Sequence, residues 1–353
     1  MTTTPDRSAR STPTGTPDWW IYQGTGRPID GRLLDVLPPP PPWRAFTGGP
    51  VQEPPPEDRE DTTRRIGTPS LTALLGQDPR TVEMVNAALY LRRPLLVTGR
   101  PGTGKSSLAY RIAHELGLGR VLRWPITTRT TLAGGLYQYD AIGRVQAASL
   151  RSADREDGPD IGEYIRLGPL GTALLPYESP RVLLIDELDK SDIDLPNDLL
   201  SVLEDGEFQI PELARVASRT PEVGVFTADP HWQATVSMGD VRCRAFPVVV
   251  ITSNGEREFP PAFLRRCVRL ELSPPDVDQL AAIVAAQFPA AGNGADAGAL
   301  VREFIERSAA MGTLPVDHLL NALYLATSGA QTDDESWTRL VDALWRRLSE
   351  PLA

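Results

Sequence analysis

The middle of the chain is marked by five short apolar runs, "PLLVTG", "VLRWPI", "RVLLIDE", "FPVVVITSN" and "VRLEL", all between Leu71 and Leu272. They are rich in Val, Leu and Ile, and apolar positions follow one another without polar alternation. Such runs read as strands covered on both faces, the habit of a parallel sheet. Helical patterns between them predict βαβ units and an α/β domain. After "SPPD", residues 273–276, the pattern changes to helical spacing alone. Four helices are predicted, over 277–288, 297–310, 316–327 and 335–348. The last puts Trp337, Leu340, Val341, Leu344, Trp345 and Leu348 on one stripe.

The first 66 residues break both patterns. Prolines culminate in "LPPPPPWR" (37–44) and "EPPPED" (53–58), which favour polyproline II and exclude a packed helix. The expectation is a largely disordered arm over 1–66, with the proline tract as a spacer or a ligand for an aromatic groove. "DWWIYQGTG" (18–26) is costly to leave in water, so this patch is expected to dock on its own subunit or a neighbour. The resulting division is an arm at 1–66, an α/β domain at 67–273 and a helical domain at 274–353.

Charge changes the picture only locally. The formal net charge is −10, which argues against broad nucleic-acid binding, since that depends on neutralising phosphates. Of the 36 basic residues only Lys105 and Lys190 are lysine, so their positions carry information. No apolar run approaches the roughly 20 residues of a membrane helix, and the first residues lack an apolar leader core. A cytoplasmic protein is the expectation. Two cysteines, Cys243 and Cys267, and three scattered histidines, His114, His231 and His318, offer no disulfide framework and no four-ligand zinc site.

"VTGRPGTGKSS" ends the first apolar run and opens a helical pattern. Gly99, Gly104, Lys105 and Ser106 satisfy G-x-x-x-x-G-K-[ST]. Glycines let the backbone of the candidate cradle Gly99, Arg100, Pro101, Gly102, Thr103, Gly104, Lys105, Ser106 and Ser107 curl so that its N–H groups, Pro101 having none, point at phosphate oxygens. The helix N-terminus adds partial positive charge. Lys105 is the candidate for the β- and γ-phosphates of ATP, and Ser106 for Mg²⁺. Leu108, Ile112 and Leu116 fall on one face of the helix, with Gly117 as its stop.

"RVLLIDELDK" supplies carboxylates at a strand's carboxy end, where α/β ligands bind. Asp186 is the candidate for holding Mg²⁺. Glu187 is the candidate base or orienter for an attacking water. "SDIDLPNDLLSVLEDGEF" then predicts an amphipathic helix through Leu199, Leu200 and Leu203, ending at Gly206. The fourth run ends in Thr252, Ser253 and Asn254, and "FPPAFLRRC" follows with Arg265 and Arg266.

Taken in this order, phosphate loop, apolar-DE strand, Asn-ended strand, arginine segment and helical lid resemble the AAA+ ATPases over about residues 70–348. "RRPLLVTGRPGTGKSSLA", "LLIDELDKSDIDLPNDLL" and "TSNGEREFPPAFLRRC" are most similar to the MoxR-like branch. The resemblance implies a P-loop AAA+ three-layer sandwich with a five-stranded parallel sheet and a small all-α lid. It implies that Asn254 is the sensor facing the γ-phosphate. It implies that Arg266, or alternatively Arg265, is an arginine finger acting on a neighbour's ATP, in a homo-oligomeric ring usually of six. It further implies mechanical work on a protein client. Two departures stand out: Val316 replaces a second-sensor arginine, and Cys267 replaces an aromatic after the finger.

Two inserts break the regular order. In "TTLAGGLYQYDAIGRVQAA" (130–148), Tyr137 and Tyr139 alternate like strand residues, facing either a pore or their own domain. Between Phe208 and Pro247, "VGVFT" and "ATVSMGDVRC" suggest a β-hairpin. Four functions fit unequally: an ATPase remodelling a protein; an ATP-gated binding module with slow hydrolysis; a DNA-acting motor, disfavoured by acidity; and a small-molecule kinase, which leaves Asn254, the arginines and the lid unexplained.

Overall fold

The computed structural model describes residues 17–55, 64, 66, 78–150, 160–274, 279–281, 283–284, 300–307, 316–328 and 334–345. The five apolar runs form one sheet: β1 (Leu95–Thr98), β2 (Leu122–Pro125), β5 (Val182–Asp186), β10 (Val248–Ser253) and β11 (Val268–Glu271). Its order is β11-β1-β10-β5-β2, and every pairing is parallel. The side-chain period of two splits the three inner runs, β1, β10 and β5, between two cores, while the edge strands β2 and β11 each face one core. Leu95, Val97, Val182, Leu184 and Val250 face one core, with α1 (Pro79–Leu91) and α2 (Lys105–Glu115). Leu96, Leu183, Ile185, Val249 and Ile251 face the other, with α3 (Leu195–Asp205). This is a three-layer α/β sandwich around a five-stranded parallel sheet, as expected.

The inserts build a second sheet from β3 (Tyr137–Tyr139), β4 (Ile165–Leu167), β6 (Glu207–Gln209), β7 (Glu222–Phe226), β8 (Gln233–Ser237) and β9 (Asp240–Arg242). Its order is β3-β4-β7-β8-β9-β6. The expected hairpin is β7–β8, paired antiparallel from Glu222–Ser237 to Phe226–Gln233. Met238 and Gly239 join β8 to β9 in a two-residue turn, both at positive φ (57 and 78). Tyr137 stacks on Phe208 and donates to Glu212 at 2.9 Å, while Tyr139 accepts from Arg144 at 3.2 Å. Both tyrosines therefore pack on their own domain. A fully buried ion pair ties the sheets together: Arg181, just before β5, donates twice to Asp229 at 2.9 Å.

Residues 17–55 correct the expectation of a disordered arm. This stretch is laid along the α/β domain. Ile21, Tyr22 and Leu33 enter the core beside α1 and α2. Asn86 of α1, fully buried, accepts from Ile21 N and Tyr22 N (2.7 and 3.0 Å) and donates to Tyr22 O (2.6 Å). The Glu115 carboxylate at the end of α2 accepts from the amides of Gln23, Gly24 and Gly26. The "DWWIYQGTG" patch thus docks on its own subunit. The proline tract is pinned at both ends, by Arg92 donating to Pro38 O and by Arg44 donating to Leu203 O and lying over Phe246. Apolar anchors plus buried acceptors for the backbone outweigh the proline-rich composition. Residues 1–16 and most of 56–77 lie outside the described residues.

In the carboxy-terminal region, α4 (Val316–Thr327), α5 (Asp334–Leu344) and residues 300–307 share a separate apolar cluster. Val341 and Trp345 of the expected stripe are buried in it, with Trp337 and Leu344 packed against it; Leu340 is exposed. Trp345 donates its indole N–H to His318 O at 3.1 Å. Leu348 and half of the first two expected helices lie outside the described residues. No helix among the described residues is long and apolar enough to cross a membrane.

Candidate nucleotide site

The carboxy ends of β1, β10 and β5 lie side by side, and each delivers one part of the site. Thr98 pairs with Ser253, and Ile251 with Ile185, so Asn254 emerges between the phosphate loop and the two carboxylates. After β1 the loop turns through Gly99, Gly102 and Gly104, at φ 152, 79 and 83. A Cβ on Gly99 would sit 2.6 Å from Leu272 O, so only glycine fits there. Gly104 caps α2, whose first residue is Lys105. Arg100, Pro101, Gly102 and Gly104 are exposed, while Thr103, Ser106 and Ser107 are half-buried. The Lys105 ammonium folds back onto its own loop, donating to Gly99 O and Arg100 O at 2.8 Å. Burial lowers its pKa, and the charges of Asp189, Glu187 and Asp186 oppose that shift.

Asp186 is the hub of the acidic half. Its Oδ1 accepts from Ser106 Oγ at 2.6 Å and from Thr252 Oγ1 at 2.9 Å. Its Oδ2 accepts from Arg123 Nη2 and Nε at 2.7 and 3.1 Å. Burial disfavours the carboxylate, but hydrogen bonds from Ser106, Arg123 and Thr252 outweigh it and hold the pKa below its ordinary value. A hydroxyl and a carboxylate oxygen in direct contact are the hard donors that Mg²⁺ takes alongside water and phosphate. The curled loop, the lysine and this oxygen pair therefore fit a Mg²⁺-nucleotide. Glu187 sits at φ 64. Its Oε1 accepts from Asn254 Nδ2 at 3.3 Å and its Oε2 from Lys190 Nζ at 2.8 Å.

The structure therefore brings together Lys105, Ser106, Asp186, Glu187 and Asn254, as the sequence predicts. It does not bring Arg265 and Arg266 to them. Both precede β11, whose first residue Val268 pairs with Leu95 at the start of β1. The phosphate loop leaves the opposite end of β1, about 13 Å away at a strand's rise per residue. Arg266 is ion-paired to Glu204 of α3, and Arg265 Nε donates to Pro261 O at 3.3 Å. Val316 packs against the apolar cluster of the lid. Arg123 and Asp189 are site residues that sequence reasoning missed. Arg123 lies in a run read only as a strand, and Asp189 looks like one more acid in a turn. Lys190 was marked only by the scarcity of lysine.

Residues 94–267 match the family model of the AAA domain (dynein-related subfamily). No curated protein matches the sequence. The parallel sheet and the phosphate loop against the Asp186–Glu187 strand end agree with this match: residues 94–267 are similar to an AAA domain in sequence and in fold.

Proposed function

We propose that the chain binds Mg²⁺-ATP between its phosphate loop and Asp186, hydrolyses it, and works as a homo-oligomeric ring on a protein partner. The observation that carries this is the meeting of Ser106 with Asp186 at 2.6 Å, with Glu187 and Asn254 in contact beside them. In this reading Lys105 and the loop from Gly99 to Ser107 hold the phosphates, and Ser106 and Asp186 hold Mg²⁺. Glu187 takes the proton of the attacking water, and Asn254 orients that water. The placement of Arg265 and Arg266 away from their own phosphate loop supports a role on a neighbour's nucleotide, with Arg266 first and Arg265 second. The MoxR-like branch, a ring of six and a remodelling role rest on resemblance.

A test is Mg²⁺-dependent ATP turnover of the full chain. Lys105→Ala and Glu187→Gln should each lower turnover by at least about 100-fold, the scale of losing a positioned base or charge. Glu187→Gln should still bind ATP and retain a client in pull-downs. Full turnover in both variants would sink the reading.

Val316 favours a second reading, an ATP-gated assembly module with slow hydrolysis. With an apolar residue packed in the lid at this position, no arginine reaches the nucleotide from there. Turnover above about 1 s⁻¹, the ordinary enzyme range, would exclude it.

A further inference from the structure

The turn after Glu187 has a role that the proposed mechanism leaves unassigned. Glu187 leaves β5 in the left-handed region, a conformation rare for residues with a side chain and concentrated at functional sites. The single 3-10 turn Leu188–Lys190 then sends Asp189 inward and Lys190 outward. Asp189 is 3% exposed. Its Oδ2 accepts from the amides of Asn254 and Glu256 at 2.9 and 3.1 Å. Its Oδ1 is buried with no hydrogen-bond partner among the described residues. An acid half-satisfied in the interior costs stability, so fold stability alone does not account for it. Two residues further on, Ser191 O accepts from Arg257 at 2.7 Å. The loop 254–257 is therefore stitched to 189–191 at three points.

The same turn also holds the acid beside it. Lys190 contacts one oxygen of Glu187, and Asn254 contacts the other. Asp189 thus fixes the backbone of Asn254 while Lys190 fixes the carboxylate that Asn254 faces.

We infer that Asp189 and Lys190 are positioning residues for hydrolysis: Asp189 seats the backbone carrying Asn254, and Lys190 holds the Glu187 carboxylate against it. This rests on the hydrolytic reading above. Neither residue is needed for phosphate contact, so both act on turnover and leave nucleotide affinity alone.

The experiment pairs steady-state ATPase rates with titration of a fluorescent ATP analogue, on the full chain with Mg²⁺. Asp189→Ala should lower kcat roughly 100-fold, the scale of an ångström of misplacement. Analogue affinity should stay within about threefold, below one tenfold step in affinity. Asp189→Asn keeps an acceptor oxygen for both amides and should restore most of kcat. Lys190→Met should lower kcat roughly tenfold, part of what a positioned base supplies, and Lys190→Arg should restore it. Unchanged kcat in Asp189→Ala and Lys190→Met, with Glu187→Gln inactive, overturns this inference alone. Asn as slow as Ala, or affinity falling in step with kcat, overturns the positioning role as well. Wild-type protein without turnover, or Glu187→Gln at full speed, overturns the hydrolytic reading instead. Should Asp189→Ala not fold, Lys190→Met, a change at a half-exposed side chain, decides the matter, and a wild-type kcat there overturns the inference.

Discussion

At the scale of single residues, Asp186 has the most partners in the site. Its folded-state pKa is depressed, so the stability it contributes is complete above its ordinary value of 3.8 and is lost as pH falls through the folded value. Asp186→Asn should therefore flatten the acid side of a Tm-against-pH curve, measured downward from about pH 5, where a carboxylate begins to protonate. An unchanged acid limb would show that the hydrogen bonds from Ser106, Arg123 and Thr252 do not persist in solution. The residues legible in the sequence are those whose type is dictated by chemistry at fixed spacing, such as Gly99, Lys105, Ser106, Asp186 and Glu187. Asp189 escaped because its task, receiving two amides from a loop 65 residues downstream, leaves no local pattern. Arg123 escaped for the same reason: it meets Asp186 only once β2 lies beside β5.

At the scale of elements, the amino-terminal strap depends on buried acceptors as much as on apolar anchors. Asn86→Ala strands the amides of Ile21 and Tyr22 inside the protein. The cost should be about 2–6 kcal/mol, from about 1–3 for each of the two unsatisfied buried groups. The expected readout is a Tm lowered by several degrees, together with faster protease cleavage within residues 17–55. A variant as stable as wild type would mean that the strap adds little to the fold. Glu115 adds a second acceptor in an unfavourable place, since a helix C-terminus repels an anion; the amides of Gln23, Gly24 and Gly26 answer that repulsion. The three inner strands β1, β5 and β10 were readable because both of their faces are covered, whereas the edge strands β2 and β11 expose one face. The insert strands were mostly unreadable because they run three to five residues and half of each faces water, as the alternating burial of Glu222–Phe226 shows.

At the scale of the whole molecule, the proposed trans role of Arg266 makes a mixing test decisive. Arg266→Ala and Lys105→Ala subunits, each inactive alone, should recover measurable ATPase activity when combined, because each supplies what the other lacks. Full activity of Arg266→Ala by itself would move the role to Arg265 or remove it. The pairing of Arg266 with Glu204 is a surface contact of small worth, so it is no obstacle to re-partnering across an interface.

One further consequence belongs to this scale. The buried Arg181–Asp229 pair grips the second sheet just where β5 begins, and Asp186 and Glu187 stand just where β5 ends. Between them run Val182, Leu183, Leu184 and Ile185, fully enclosed and flanked on both sides by paired strands. Such a segment neither stretches nor buckles. Four covalently joined, enclosed residues are thus all that separates the anchor of the insert sheet from the carboxylates of the nucleotide site.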